Sequence, residues 1–157
     1  MVLFTLFTAL SLSAHTNQFS DQILSIGPMW HWNFGGEQVQ FSWGIEVAYW
    51  DFTNGPHCVD FGFEIQDEVL RIYSEYQTGI IALGGSLGAV LEFSNNKSTQ
   101  FGFQGGIWGA WFAGVNLRSR YLFSNSDTPS QYRFAPGAFL KIPVEADIFY
   151  RSSTVTD

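Results

Sequence analysis

Apolar and polar residues alternate along most of this chain. From Val39 to Tyr49 the odd positions Val39, Phe41, Trp43, Ile45, Val47 and Tyr49 are apolar, and the even positions Gln40, Ser42, Gly44, Glu46 and Ala48 are polar or small. A period of two marks a β-strand whose two faces meet different surroundings. The preceding stretch has Leu24, Ile26, Pro28, Trp30, Trp32 and Phe34 on one face and Ser25, Gly27, His31 and Asn33 on the other, with Met29 as the exception. Gly35-Gly36-Glu37-Gln38 separates the two as a turn.

The alternation resumes after Thr53-Asn54-Gly55-Pro56 with Val59, Phe61, Phe63 and Ile65 opposed to Asp60, Gly62, Glu64 and Gln66. It changes phase across Gln66-Asp67-Glu68, as a tight hairpin requires. Leu70, Ile72, Ser74 and Tyr76 then oppose Arg71, Tyr73, Glu75 and Gln77. A fifth strand from Ile81 to Phe93 ends at Asn95-Asn96-Lys97-Ser98. One phase runs from Phe101 to Phe123, too long for a single strand at about 3.3 Å per residue. A phase-preserving turn near Ala110 to Ala113 divides it. The last pattern runs from Tyr132 through Phe134, Ala138, Leu140, Ile142 and Val144 to Ile148 and Tyr150. The expected fold is all-β, with eight antiparallel strands connected up and down.

Composition sharpens this picture. Of 157 residues 46% are hydrophobic, 18% aromatic and only 13% charged, against about 25% charged in ordinary soluble domains. The net charge is -7, and no Lys or Arg precedes Arg71, so a nucleic-acid partner is excluded. The single cysteine, Cys58, has no internal disulfide partner, and no Cys/His grouping has zinc spacing. No metal or other cofactor is expected. The run VLFTLFTALSL, Val2 to Leu12, followed by Ser13 and Ala14, has the length of a signal-peptide core. Residues 1–14 are therefore read as a signal peptide and residues 15–157 as one barrel domain. The run is too short for a transmembrane helix, which needs about 20 apolar residues, so any membrane crossing is by strands.

The placement of ionisable groups decides how such a sheet is used. The apolar phase carries no Lys, Arg, Asp or Glu except Asp51, at a strand end. The opposite phase carries Glu46, Glu64, Arg71, Glu75, Glu92, Arg118, Arg120, Arg133 and Lys141, together with Asp60 and Glu145. A soluble sandwich would turn these to water, and a membrane barrel would enclose them. The apolar set, which includes Trp30, Trp32, Trp43, Phe63, Phe101, Trp111, Phe123 and Phe134, is too bulky for a thin sandwich core and gathers near strand ends. The expectation is a closed barrel with lipid outside and a charge network in its lumen, Glu46 and Glu64 partnering Arg118 and Arg120.

In its signal-like start, eight short strands and aromatic rims the chain resembles the small outer-membrane β-barrels of Gram-negative bacteria, the class of the OmpA membrane domain and OmpX. The resemblance implies location in the bacterial outer membrane and a plugged lumen without an open pore. The family's last-strand signature is met by Ile148 and Tyr150, but Glu145 stands where a glycine belongs. Short connections argue against an adhesin, whose recognition sits on long loops. A strip of small residues on the apolar face, Gly85, Ala89, Gly105, Gly109 and Ala113, is a candidate surface for another envelope protein or a second copy. Two alternatives are a soluble secreted lipid-binding barrel and a lipid A-modifying enzyme. The deacylase type of the latter uses His-x-Ser, whereas this chain has His15-Thr16-Asn17, His31-Trp32-Asn33 and His57-Cys58-Val59. The expected role is a structural or interaction component of the envelope.

Overall fold

The computed structural model of the chain describes residues 22–144, apart from 37, 81, 96, 111 and 112. The apolar N-terminal run, Trp111 and the closing pattern Glu145, Ile148 and Tyr150 lie outside the described residues. Nine strand segments build the sheet: β1 (Gln22–Asn33), β2 (Gln40–Asp51), β3 (His57–Gln66), β4 (Val69–Ile80), β5 (Leu83–Ser94), β6 (Lys97–Gly109), β7 (Ala113–Leu122), β8 (Gln131–Leu140) and β9 (Ile142–Val144). β8 and β9 form one stave interrupted at Lys141, because both pair with β1. Each strand from β1 to β8 pairs antiparallel with the next, and β1 pairs on its other side with β8 and β9, so the sheet closes into an eight-stranded up-and-down barrel.

The connections sort into two ends. Residues 34–39, 67–68, 95–96 and 123–130 link strands at one end, and residues 52–56, 81–82 and 110–112 at the other, which we call the 52–56 end. The three-residue connection after Gly109 keeps the alternation in phase between β6 and β7, with Ala110 at φ 76° completing the reversal. β6 begins at Lys97, within the stretch expected as a turn, because the ladder slips one residue between Glu92 and Ser94.

Side chains alternate across the barrel wall. Outward residues are apolar and exposed, Phe61 at 62% and Ile72 at 48%, while their chain neighbours Asp60 and Arg71 are at 0%. This is the reverse of a soluble sandwich and the distribution of a transmembrane barrel, apolar outside and polar within. Closure matters for the same reason, since an open edge in hydrocarbon would leave backbone groups unpaired at several kcal/mol each. Near the 34–39 and 123–130 connections the outer surface carries Trp30, Trp32, Trp43, Phe101, Phe103 and Phe123 among others, packed edge-to-face and stacked, as in Trp32 against Phe41 at 5.8 Å.

The lumen is not uniformly polar. Towards the 52–56 end Trp50, Cys58, Trp108 and Phe139 join Met29, Tyr73 and Val90 in an enclosed apolar cluster. Glycines give these rings their room. A Cβ at Gly62 would stand 2.2 Å from the Tyr73 hydroxyl, its ladder partner, and one at Gly137 2.2 Å from His31 Cδ2.

Candidate functional site

Among the described residues ten Asp, Glu, Arg and Lys side chains project into the lumen because each sits on the inward parity of its strand. Glu46 lies on β2, Asp60 and Glu64 on β3, Arg71 and Glu75 on β4, Glu92 on β5, Arg118 and Arg120 on β7, Arg133 on β8, and Lys141 at the break before β9. Carboxylates and cations are equal in number, and all are buried except Arg133, whose side chain is 14% exposed.

Arg118 is the centre of the network. Its Nη2 donates to Glu46 at 2.6 Å and to Glu75 at 3.2 Å, and its Nη1 to Glu64 at 3.3 Å. The guanidinium lies 4.6 Å over the Tyr73 ring, and the Tyr73 hydroxyl donates to the same Glu46 oxygen at 2.8 Å. Lys141 Nζ meets the other Glu46 oxygen at 2.5 Å while sitting 5.5 Å over Trp50 and 5.4 Å over Phe139. Glu64 also receives Arg120, which in turn donates to Gln104 at 2.7 Å and Asn33 at 3.1 Å. His31 is wedged between Glu64, at 3.2 Å from Nδ1, and Asn116, at 3.0 Å from Nε2.

A second layer lies towards the opposite end. Arg133 grips both oxygens of Glu92, at 2.6 and 3.0 Å, and Arg71 Nε donates to Glu92 at 2.7 Å. Such two-pronged contacts are the strongest ionic hydrogen bonds available to side chains. Asp60 is held differently: it accepts the Glu75 backbone N–H at 3.0 Å and the Gln77 amide. Oxygens of Glu46, Asp60 and Glu75 lie within 4.8 Å of one another, a spacing compatible with a cation. Arg118 and Lys141 already supply positive charge to two of the three. The interior leaves a small cavity beside Trp108, Asn116, Arg118 and Lys141, with room for about one water molecule.

All nine residues of the expected lumen network are therefore brought together, and Arg118 contacts both Glu46 and Glu64, whereas Arg120 contacts Glu64. Alternation placed Asn33 and Gln66 on the polar phase but did not single out the neutral partners Gln104 and Asn116, or the inward aromatic rings Trp50, Trp108 and Phe139. Parity was the available signal: Trp50, Asn116 and Phe139 share the phase of the charges on their strands, and Gln104 and Trp108 alternate with the outward Phe101, Phe103 and Ile107.

The small-residue strip is threaded with large side chains. Gly85 pairs with Ile107, Gly105 with Leu87 and Gly109 with Leu83. Leu87 Cδ1 lies 3.6 Å from the place a Cβ would take on Gly105, and Leu83 Cδ2 3.6 Å from that on Gly109. Ala89 opposes Phe103, and Ala113 opposes Leu140. The strip is thus corrugated, leucines lying over glycines.

The two histidines among the described residues occupy opposite faces. His31 is sealed in the lumen at 0% exposure, out of reach of any lipid. His57 opens β3 on the outward face, where its Nδ1 meets the Tyr76 hydroxyl at 2.5 Å and the two rings stack at 5.9 Å. Cys58, the next residue, is buried inward.

No protein-family model matches the chain, and no curated protein matches it. Among solved structures it is similar to a de novo designed transmembrane β-barrel, at 12% identity and a TM-score of 0.42 over 81% of this chain and 100% of that one. It is also similar to the outer-membrane enzyme PagL, at 12% identity and a TM-score of 0.44 over 78% of this chain and 99% of that one.

Proposed function

We propose that this chain is an integral β-barrel of the bacterial outer membrane, of the small OmpA- and OmpX-like kind, serving as a structural or interaction component of the envelope with a plugged lumen. The observation that carries the reading is the inversion of the molecule: five carboxylates and five cations enclosed, with Trp, Phe, Ile, Leu and Val covering the outside. Water would leave that surface without a partner, and hydrocarbon is the solvent that suits it. The rings near the 34–39 and 123–130 connections serve in this reading as an interface girdle. The run from Val2 to Leu12 serves as the export signal.

The buried pairs act as a filling. Eight strands enclose a space that side chains alone can fill, and here Arg118, Arg120 and Tyr73 cross it to reach carboxylates on other strands. A charge confined near the bilayer midplane needs such a partner.

Fractionation of cells expressing the full chain, followed by gel migration of unboiled and boiled detergent extracts, tests the proposal. The expected result is recovery in the outer-membrane fraction with faster migration before boiling. Recovery in the soluble fraction would refute it.

A further inference from the structure

The outward face of the described strands carries a single carboxylate, Asp51, and a single imidazole, His57, and the register places them opposite each other. Directly opposed residues have Cβ atoms about 4.5–5.5 Å apart. His57 is also the ladder partner of Thr78, exposed on β4. The four residues Asp51, His57, Tyr76 and Thr78 form one polar island beside the 52–56 connection, next to outward residues as apolar as Val59 and Ile80. A carboxylate facing hydrocarbon is costly, so an outward Asp51 calls for an interface that can answer its charge.

The hydrogen bonding fixes what the island offers. Asp51 accepts the Thr53 backbone N–H at 2.9 Å and side-chain hydrogen bonds from Thr53 and Gln22, which leaves about one acceptor position on its carboxylate. The Tyr76 hydroxyl and His57 Nδ1 share a hydrogen bond at 2.5 Å, and in the tautomer where the hydroxyl donates, the ring proton sits on Nε2 as a donor. A Cβ on Gly55 would come into van der Waals contact with that atom at 4.0 Å, a contact that the glycine leaves unmade. Acceptor and donor thus sit side by side on the lipid-facing rim.

We infer that this island is a headgroup site for an aminophospholipid, its ammonium hydrogen-bonded to Asp51 and its phosphate to the His57 Nε2–H and the Thr78 hydroxyl. The inference rests on the membrane reading above and adds a lipid class to it. A primary ammonium brings three N–H donors to the carboxylate, whereas the quaternary ammonium of a choline headgroup brings none. Phosphatidylethanolamine fits this order of charges, and phosphatidylglycerol, which lacks the ammonium, does not.

The test reconstitutes the full chain in vesicles holding equal phosphatidylethanolamine and phosphatidylcholine of identical acyl chains, and measures by native mass spectrometry the lipid retained after gentle extraction. The wild type is expected to retain the ethanolamine lipid about fivefold over the choline lipid (about 1 kcal/mol). Asp51→Asn should bring that ratio near unity, while His57→Phe and Thr78→Val should lower retention of both lipids, with migration before boiling confirming that each variant is folded. Equal retention by an inserted wild type, an unchanged ratio in Asp51→Asn, or preference for phosphatidylglycerol in a parallel mixture would overturn the site alone. A chain that does not enter the vesicles would overturn the membrane reading with it.

Discussion

Glu64 shows how single residues hold the lumen together. Its carboxylate touches Arg120, Arg118 at 3.3 Å, Arg71 at 3.6 Å and His31 at 3.2 Å, and accepts the Ser42 hydroxyl at 3.3 Å. Removing one member of a buried ionic set leaves the others uncompensated, at about 3–5 kcal/mol. Glu64→Gln should therefore lower the unfolding free energy of the refolded barrel by about that amount in urea titrations, while Ser119→Ala on the outside should change it by less than about 0.5 kcal/mol. A Glu64→Gln barrel as stable as the wild type would show that the network contributes little. At this scale the sequence was readable by parity: the phase that places Glu64 inward also places Trp50 and Trp108 inward. Residue type argued the other way for those rings, because large aromatics suit a lipid-facing wall as well as a lumen. Partner choice was less legible, since Arg118 reaches Glu46 across many strands and only the closed geometry brings them within 2.6 Å.

At the scale of elements, the strands follow from alternation and turn chemistry. The division of the long Phe101 to Phe123 stretch falls at residues 110–112, which an odd-numbered connection allows without a phase change. The interruption at Lys141 was illegible because alternation passes through it unbroken from Leu140 to Ile142. Ladder register gives the glycines different duties. Gly62 faces inward under the Tyr73 ring, whereas a Cβ on outward Gly85 meets nothing closer than the Gly106 carbonyl at 3.5 Å. Gly62→Ala should displace Tyr73 from Glu46 and destabilise the barrel by about 1–3 kcal/mol. Gly85→Ala should leave stability unchanged or slightly raised, because alanine narrows the unfolded ensemble. Equal effects of the two in the same unfolding assay would contradict the inward and outward assignment of β3 and β5.

Taken as a whole, the molecule is a charge-compensated cylinder in an apolar coat. Among the described residues the five cations of the lumen match its five carboxylates, and the remaining acids, Asp51, Asp67, Glu68 and Asp127, form an excess outside it. Asp51 is part of that excess, and its place on the outward rim was visible in the sequence as the lone acid of the apolar phase; its pairing with His57 was not, because that depends on register. The most direct measurement of the central claim uses spin labels at Ile45→Cys, Ile72→Cys and Leu91→Cys, each on a Cys58→Ala background, in lipid vesicles. Mid-wall labels facing hydrocarbon should collide readily with dissolved oxygen and hardly at all with a water-soluble nickel chelate. Free collision with the chelate at these three positions would mean that water, not lipid, covers the outer wall, and the account would fall.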